Sequence, residues 1–244
     1  GAMSHAKVYV NGQEVGYWPY GYNSFYFDIT KQLMPGKKNT LAVRLENLPE
    51  SSRWYPGAGL YRNVHVIVTE NAHIPVWGTY VTTPTATKEF AKVNVRTQIV
   101  LLEGADAGKY SVKTSVWNPN GQKLTEQTIP LSQIKYNDNS LSQEFIIQTP
   151  TLWSPDMPAL YSAETRLYEG DQLKDIYTTP FGIRSIEIIP NKGFFLNGEK
   201  TVFKGVCNHH DLGPLGAAVN DAAIRRQIRI LKDMGCNAIR TSHN

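Results

Sequence analysis

Apolar and polar residues alternate with a period of two along most of this chain, the spacing expected of half-buried β-strands. Lys7-Val8-Tyr9-Val10 and Glu14-Val15-Gly16-Tyr17 flank Asn11-Gly12, a pair that accepts the positive φ angles of a two-residue hairpin turn. Phe25 to Ile29 reads as another strand, Pro35 to Asn39 as a turn, and Thr40 to Leu45 as a strand. Asn63 to Thr69 closes this first all-β stretch, with Val64, Val66 and Val68 on one face. From Ala72 to Gly182 the pattern predicts strands at Gly78–Thr82, Lys92–Leu101, Tyr110–Trp117, Leu141–Ile147 and Tyr161–Tyr168. Turn residues at Pro119-Asn120-Gly121 and Glu169-Gly170-Asp171 separate them. About 110 residues in that rhythm suit one immunoglobulin-like β-sandwich.

After Gly182 the pattern changes. Phe194 to Lys200 predicts one more hairpin, and Val202 to Val206 is a short run rich in apolar residues. Ile224, Ile228 and Leu231 then fall at spacings of four and three, one apolar stripe of a helix. Asn220 or Asp221 is placed to cap its start and Gly235 to stop it. Asn237 to Arg240 follows as a strand. Strand, crossover helix and strand make a parallel βαβ unit, which cannot bury its own apolar faces. The chain thus reads as a fragment entering a larger α/β domain. With that domain unfinished, residues beyond about Pro190 are expected to be mobile or to pack in a non-native way.

Composition narrows the function classes. Apolar residues at 41% and charged residues at 19% are a globular mixture, and no apolar run approaches the roughly 18 to 20 residues of a membrane-spanning helix. The net charge of +4 is spread along the chain, whereas nucleic-acid binders gather basic residues into a patch. Two cysteines, Cys207 and Cys236, are too few for a disulfide scaffold. The compartment is left open.

In parallel α/β domains ligands bind at the C-terminal ends of the strands. Asn208-His209-His210-Asp211 follows the first strand here, and Arg240-Thr241-Ser242-His243-Asn244 ends the second. Parallel pairing would bring His209, Arg240 and His243 to one pocket. A zinc site built from Cys207, His209, Cys236 and His243 is the rival reading. The two cysteines are offset by about four residues, about 13 Å at 3.3 Å per residue, so both read as core thiols. Glycosidic acid–base chemistry needs paired carboxylates. The acids nearby are Asp211, Asp221 and Asp233, the last two on the helix, so no such pair is seen. Trp18, Tyr20, Tyr22, Phe25, Trp54 and Tyr55 cluster around Gly and Pro, as core rings between sheets or as platforms for a sugar.

Lys204 to Asp211, the helix, and Asn237 to Asn244 together resemble glycoside hydrolase family two, most closely its bacterial β-galactosidases. Trp54 to Val64, Leu152 to Tyr161 and Phe181 to Arg184 agree with the same family, in the same order. The resemblance implies a mainly β, multidomain chain: a partial jelly-roll sugar-binding domain at 1–71, an immunoglobulin-like sandwich at 72–183, and at 184–244 the first βαβ unit of a (β/α)8 TIM barrel. It implies a retaining β-glycosidase acting on β-galactoside oligosaccharides, with homo-oligomers possible for the whole enzyme; the charge and apolar pattern above leave neither nucleic acid nor membrane as an expected partner. The acid/base and nucleophile Glu residues would come from later barrel strands, beyond Asn244, leaving no catalytic residue in this chain. His209 and His243 would contact sugar hydroxyls, with Asn208 and, more weakly, His210 and Asp211 on the same rim. Arg240 would support the acidic cluster by keeping the nucleophile ionised. A Mg or Na ion is compatible with the full-length family, with no ligand identified in this sequence. β-Glucuronides or β-mannosides are alternative substrates, and a non-catalytic carbohydrate-binding module is the alternative class.

Overall fold

Asn11 and Gly12 take φ angles of 51° and 82°, both left-handed, and the two-residue turn they form joins Ala6–Val10 to Gln13–Trp18. The structure is a computed structural model that describes residues 1–51, 57–133 and 140–242. It divides into two units, Gly1–Val66 with Phe203–Asn244, and Ile67–Val202.

The first unit opens with β1 (Ala2–Met3), β2 (Ala6–Val10), β3 (Gln13–Trp18), β4 (Leu41–Arg44) and β5 (Gly59–Leu60). β2 lies between β3 and β4, all antiparallel, and β1 pairs with β5. Ala6, Val8 and Val10 alternate inward along β2, as their spacing predicts. Two expected strands are not strands. Phe25 to Ile29 carries no ladder; the Phe27 ring instead lies where a Cβ on Gly16 would sit, and Phe25 stacks on Trp18 at 5.8 Å. The segment therefore packs by its rings. Asn63 to Thr69 is also unpaired, and Val64, Val66 and Val68 stand 56%, 69% and 89% exposed. A period of two marks strand character, but a strand forms only with a ladder partner, and none is present among the described residues.

The second unit contains β6 (Ala72–His73), β7 (Thr79–Ala86), β8 (Phe90–Gln98), β9 (Val100–Leu101), β10 (Tyr110–Trp117), β11 (Lys123–Pro130), β12 (Ser140–Gln148), β13 (Tyr161–Glu169) and β14 (Gln172–Phe181). A four-stranded sheet, β11-β10-β13-β14, and a three-stranded sheet, β12-β8-β7, supply the residues of a shared core. One cluster includes Val93, Val95, Val116, Phe145, Ile147 and Ala163; another includes Ile74, Ile99, Val112, Leu141 and Leu167. Between these positions, one inward site on each of β8, β10, β12 and β13 is polar and buried: Thr97, Thr114, Gln143 and Thr165. Thr114 Oγ1 donates to Gln143 Oε1 at 2.6 Å, and Gln143 Nε2 donates to the Gln127 carbonyl at 3.0 Å. A polar layer thus crosses the sandwich.

On the outer face, Glu126 of β11 meets Lys123 Nζ at 2.7 Å and Lys113 Nζ at 3.1 Å. Hydrogen bonds from Lys123 and then Lys113 lower its pKa to about 2. A depressed carboxylate pKa adds stability above the unfolded value that is lost as pH falls toward the folded one. An NMR titration is expected to place the Glu126 midpoint near 2 in the wild type and higher in Lys123→Ala.

The unit continues with β15 (Ile186–Ile189), β16 (Gly193–Leu196) and β17 (Glu199–Lys200), an antiparallel sheet in that order. Asn197 and Gly198, at φ 52° and 80°, close its second hairpin. Asn197 Nδ2 donates to the Trp153 carbonyl at 3.0 Å, and the Ser185 N–H donates to Asn197 Oδ1 at 3.0 Å. The Arg184 guanidinium lies over the Trp153 ring at 4.7 Å. A Cβ on Gly182 would come within 3.0 Å of that ring. Trp153 is therefore seated by two separate segments, Gly182 to Ser185 and the hairpin turn at Asn197.

The chain re-enters the first unit through β18 (Gly205–Asn208), α1 (Asp221–Asp233) and β19 (Ala238–Thr241). β18 and β19 are parallel, with Gly205 opposite Ala238 and Asn208 opposite Thr241. The Asn220 side chain accepts the Ala223 N–H at 2.9 Å, and Gly235 follows the helix end at φ 85°. No residue of α1 is buried; Ile224 and Ile228 are 43% and 40% exposed. The apolar stripe predicted from the sequence is present and uncovered among the described residues.

Candidate substrate-binding edge

The two strand ends lie side by side because the ladder carries them there. Beyond Asn208 and Thr241, the Ser242 N–H donates to the Asn208 carbonyl at 3.0 Å, and Ser242 Oγ reaches the same oxygen at 3.4 Å. Ser242 is buried, and the chain is thereby tied at the edge where His209 leaves β18. Asn208, His209, His210 and Asp211 are all half-buried, while Arg240 is exposed. His243 and Asn244 lie outside the described residues, as do Trp54 and Tyr55.

Arg240 sits opposite Cys207 in the register, and its Nη1 approaches Cys207 Sγ at 3.6 Å. The expectation of two core thiols is corrected here. Cys236 is half-buried, but Cys207 is exposed, on a sheet face that nothing among the described residues covers. Cys236 precedes the position opposite Cys207 by four residues, so the two sulfurs stand at different levels of the sheet. Among the described residues, no three His, Cys, Asp or Glu side chains gather as a possible metal-ligand set.

Tyr22, one of the rings that the sequence offers either as core or as a sugar platform, lies in the loop after β3, which reaches this edge. The Tyr22 ring meets the His210 imidazole edge to face, with centroids 4.9 Å apart and planes at 69°. Tyr20 in turn packs edge-on to Tyr22 at 5.5 Å. The loop backbone is held from the segment after β5. Tyr61 Oη donates to the Gly21 carbonyl at 2.7 Å, and Arg62 Nη1 donates to the Tyr22 carbonyl at 3.2 Å. Gly21 is buried against Met3, and a Cβ there would lie 2.2 Å from the Met3 sulfur. Burial pushes the Tyr61 phenol up, and the nearby Arg62 charge pulls it partly back, so Tyr61 keeps its proton and donates at neutral pH. Tyr61 and Arg62 fall in the stretch Trp54 to Val64 that carries the family resemblance; that was the available sequence signal.

The family profile described as "Glycosyl hydrolases family 2" matches residues 72–184, and "Glycosyl hydrolases family 2, TIM barrel domain" matches residues 187–244. The chain belongs to glycosyl hydrolases family 2. Within that family it is 41% identical over 245 residues to beta-galactosidase BoGH2A of Bacteroides ovatus, matching 100% of this chain and 29% of that protein. It is 37% identical over 246 residues to a putative beta-glucuronidase of Formosa agariphila, 100% of this chain and 23% of the other. A solved glycosyl hydrolase family 2 member from Bacteroides cellulosilyticus superposes with a TM-score of 0.93 at 37% identity, covering 100% of this chain and 31% of that one. The chain therefore spans less than a third of the length of these relatives. Its mainly β architecture is that of the family's sandwich domains, followed by the start of the TIM barrel domain in β18, α1 and β19.

Proposed function

We propose that this chain supplies the accessory sandwiches and one substrate-binding edge of a retaining β-glycosidase that hydrolyses terminal β-galactosides. The observation that carries the reading is the parallel register of β18 and β19, which aligns the end bearing Asn208 and His209 with the end bearing Arg240. A neutral imidazole suits hydroxyl recognition because one ring nitrogen donates while the other accepts. A guanidinium such as that of Arg240 would hold a nearby carboxylate nucleophile ionised. Retention requires two carboxyl groups about 5 to 5.5 Å apart. Those two Glu residues come from outside the 244 residues, since the last Glu here is Glu199 and the strand ends carry only Asp211. The 41% identity to a protein named as a beta-galactosidase supports the choice of sugar. A β-glucuronide is the second reading, favoured by the 37% identity to a putative beta-glucuronidase.

The purified 244-residue chain is expected to give no turnover of a nitrophenyl β-galactoside once host enzyme is excluded. The whole enzyme is expected to prefer that substrate over the matching glucuronide in kcat/KM. Turnover by the chain alone overturns the division of labour, and the reverse preference overturns the sugar.

A further inference from the structure

We infer that Tyr22 is a positioning residue of the sugar site, acting through His210 on the neighbouring His209; the inference rests on the glycosidase reading above. His210 is the central link. Neither of its ring nitrogens has a hydrogen-bond partner among the described residues, and both are shielded from solvent. A half-buried imidazole held by no hydrogen bond is oriented by what packs on it, and Tyr22 packs on it at 4.9 Å. An edge-to-face ring contact of this kind is directional, enough to bias the orientation of one side chain.

Tyr22 can act as a fixed support because its own backbone is fixed. The carbonyls of Gly21 and Tyr22 accept from Tyr61 and Arg62, two adjacent residues on the far side of the loop. Beneath them, the tight approach of Gly21 to Met3 leaves no space for the loop to drop. The Tyr22 ring is therefore held from below and from one side, and it presses on the residue that follows His209. His209 and His210 are joined by one planar peptide unit just past the end of β18, so a backbone shift at His210 carries over to His209. The sandwich part of the unit thus sets the geometry of a barrel strand end.

The test compares Tyr22→Ala and Tyr22→Leu with Tyr22→Phe. In the 244-residue chain, side-chain NMR signals of His209 and His210 are expected to move in the Ala and Leu variants and to stay close to wild type in the Phe variant. In the whole glycosidase, the Ala and Leu variants are expected to raise KM for a nitrophenyl β-galactoside roughly two- to tenfold, with Phe restoring it. Unmoved histidine signals in both Ala and Leu variants, or a Phe variant as impaired as Ala, overturn the inference and leave the glycosidase reading intact. If the histidine signals respond as expected but His209→Ala leaves KM unchanged, the seating of His210 stands and the sugar-binding role of His209 falls, taking with it the functional part of the inference.

Discussion

Gly205→Val is expected to separate β18 from β19 and to unfold the βαβ segment at denaturant concentrations that leave the sandwich of the second unit intact. A Cβ at position 205 would lie 2.1 Å from the Ala238 carbonyl oxygen and 2.8 Å from its carbon. The obstacle is backbone, so no rotamer change relieves it. The surroundings cannot shift either. The Lys204 N–H donates to Asn237 Oδ1 at 2.9 Å, and the Asn237 N–H returns to the Lys204 carbonyl at 2.9 Å, locking the two chains together at that level. Overpacking usually costs about 1–3 kcal/mol, and a clash with a ladder partner belongs at the upper end. Hydrogen exchange of α1 and β19 amides reads the result directly. Wild-type protection of those amides in the Val variant would refute the close approach.

The second large effect concerns the polar layer. Gln143→Ala should lower the stability of the sandwich by about 3 kcal/mol, because it leaves a cavity and removes a hydrogen-bond partner from Thr114 and from the Gln127 carbonyl. Gln143 is 1% exposed and bonded at both ends, to Thr114 and to the Gln127 carbonyl. Gln143→Leu is milder, since it nearly keeps the volume, and Thr114 retains Thr165 Oγ1 at 3.3 Å. Adding Thr114→Val to Gln143→Leu should recover part of the loss, because a hydroxyl without its best partner is then removed. Denaturant midpoints of the three variants decide the matter; equal midpoints for Ala and wild type would mean that the layer contributes nothing.

Much of this fold could be read from local chemistry. Asn11-Gly12 and Asn197-Gly198 were identifiable as hairpin turns because few other pairs tolerate two successive left-handed residues, and Asn220 and Gly235 marked the ends of α1 by capping. β11 and β14 escaped notice because both are edge strands, where one side meets water and polar residues such as those of Lys123–Gln127 blur the alternation. Phe25 to Ile29 and Asn63 to Thr69 failed in the opposite sense: their alternation was clear, but pairing depends on a neighbour that local pattern does not contain. At the candidate site, the strand ends were legible from the βαβ order. The contact of Tyr22 with His210 was not, because it joins segments far apart in sequence through the shape of a loop with no regular structure. His243, the other imidazole of the sequence reading, lies outside the described residues.

The seat around Trp153 has a consequence for how kinship in this family is read. Leu152 to Tyr161 and Phe181 to Arg184 are among the stretches by which the chain resembles its relatives, and the structure uses Trp153, Gly182 and Arg184 to clasp the end of a sandwich. Residues chosen for that mechanical task are under no pressure from the stereochemistry of a hydroxyl at one ring carbon. Identity to a protein named for galactosides and to one named for glucuronides is accordingly similar, at 41% and 37%. Kinship read from that masonry therefore says nothing about which sugar is cleaved.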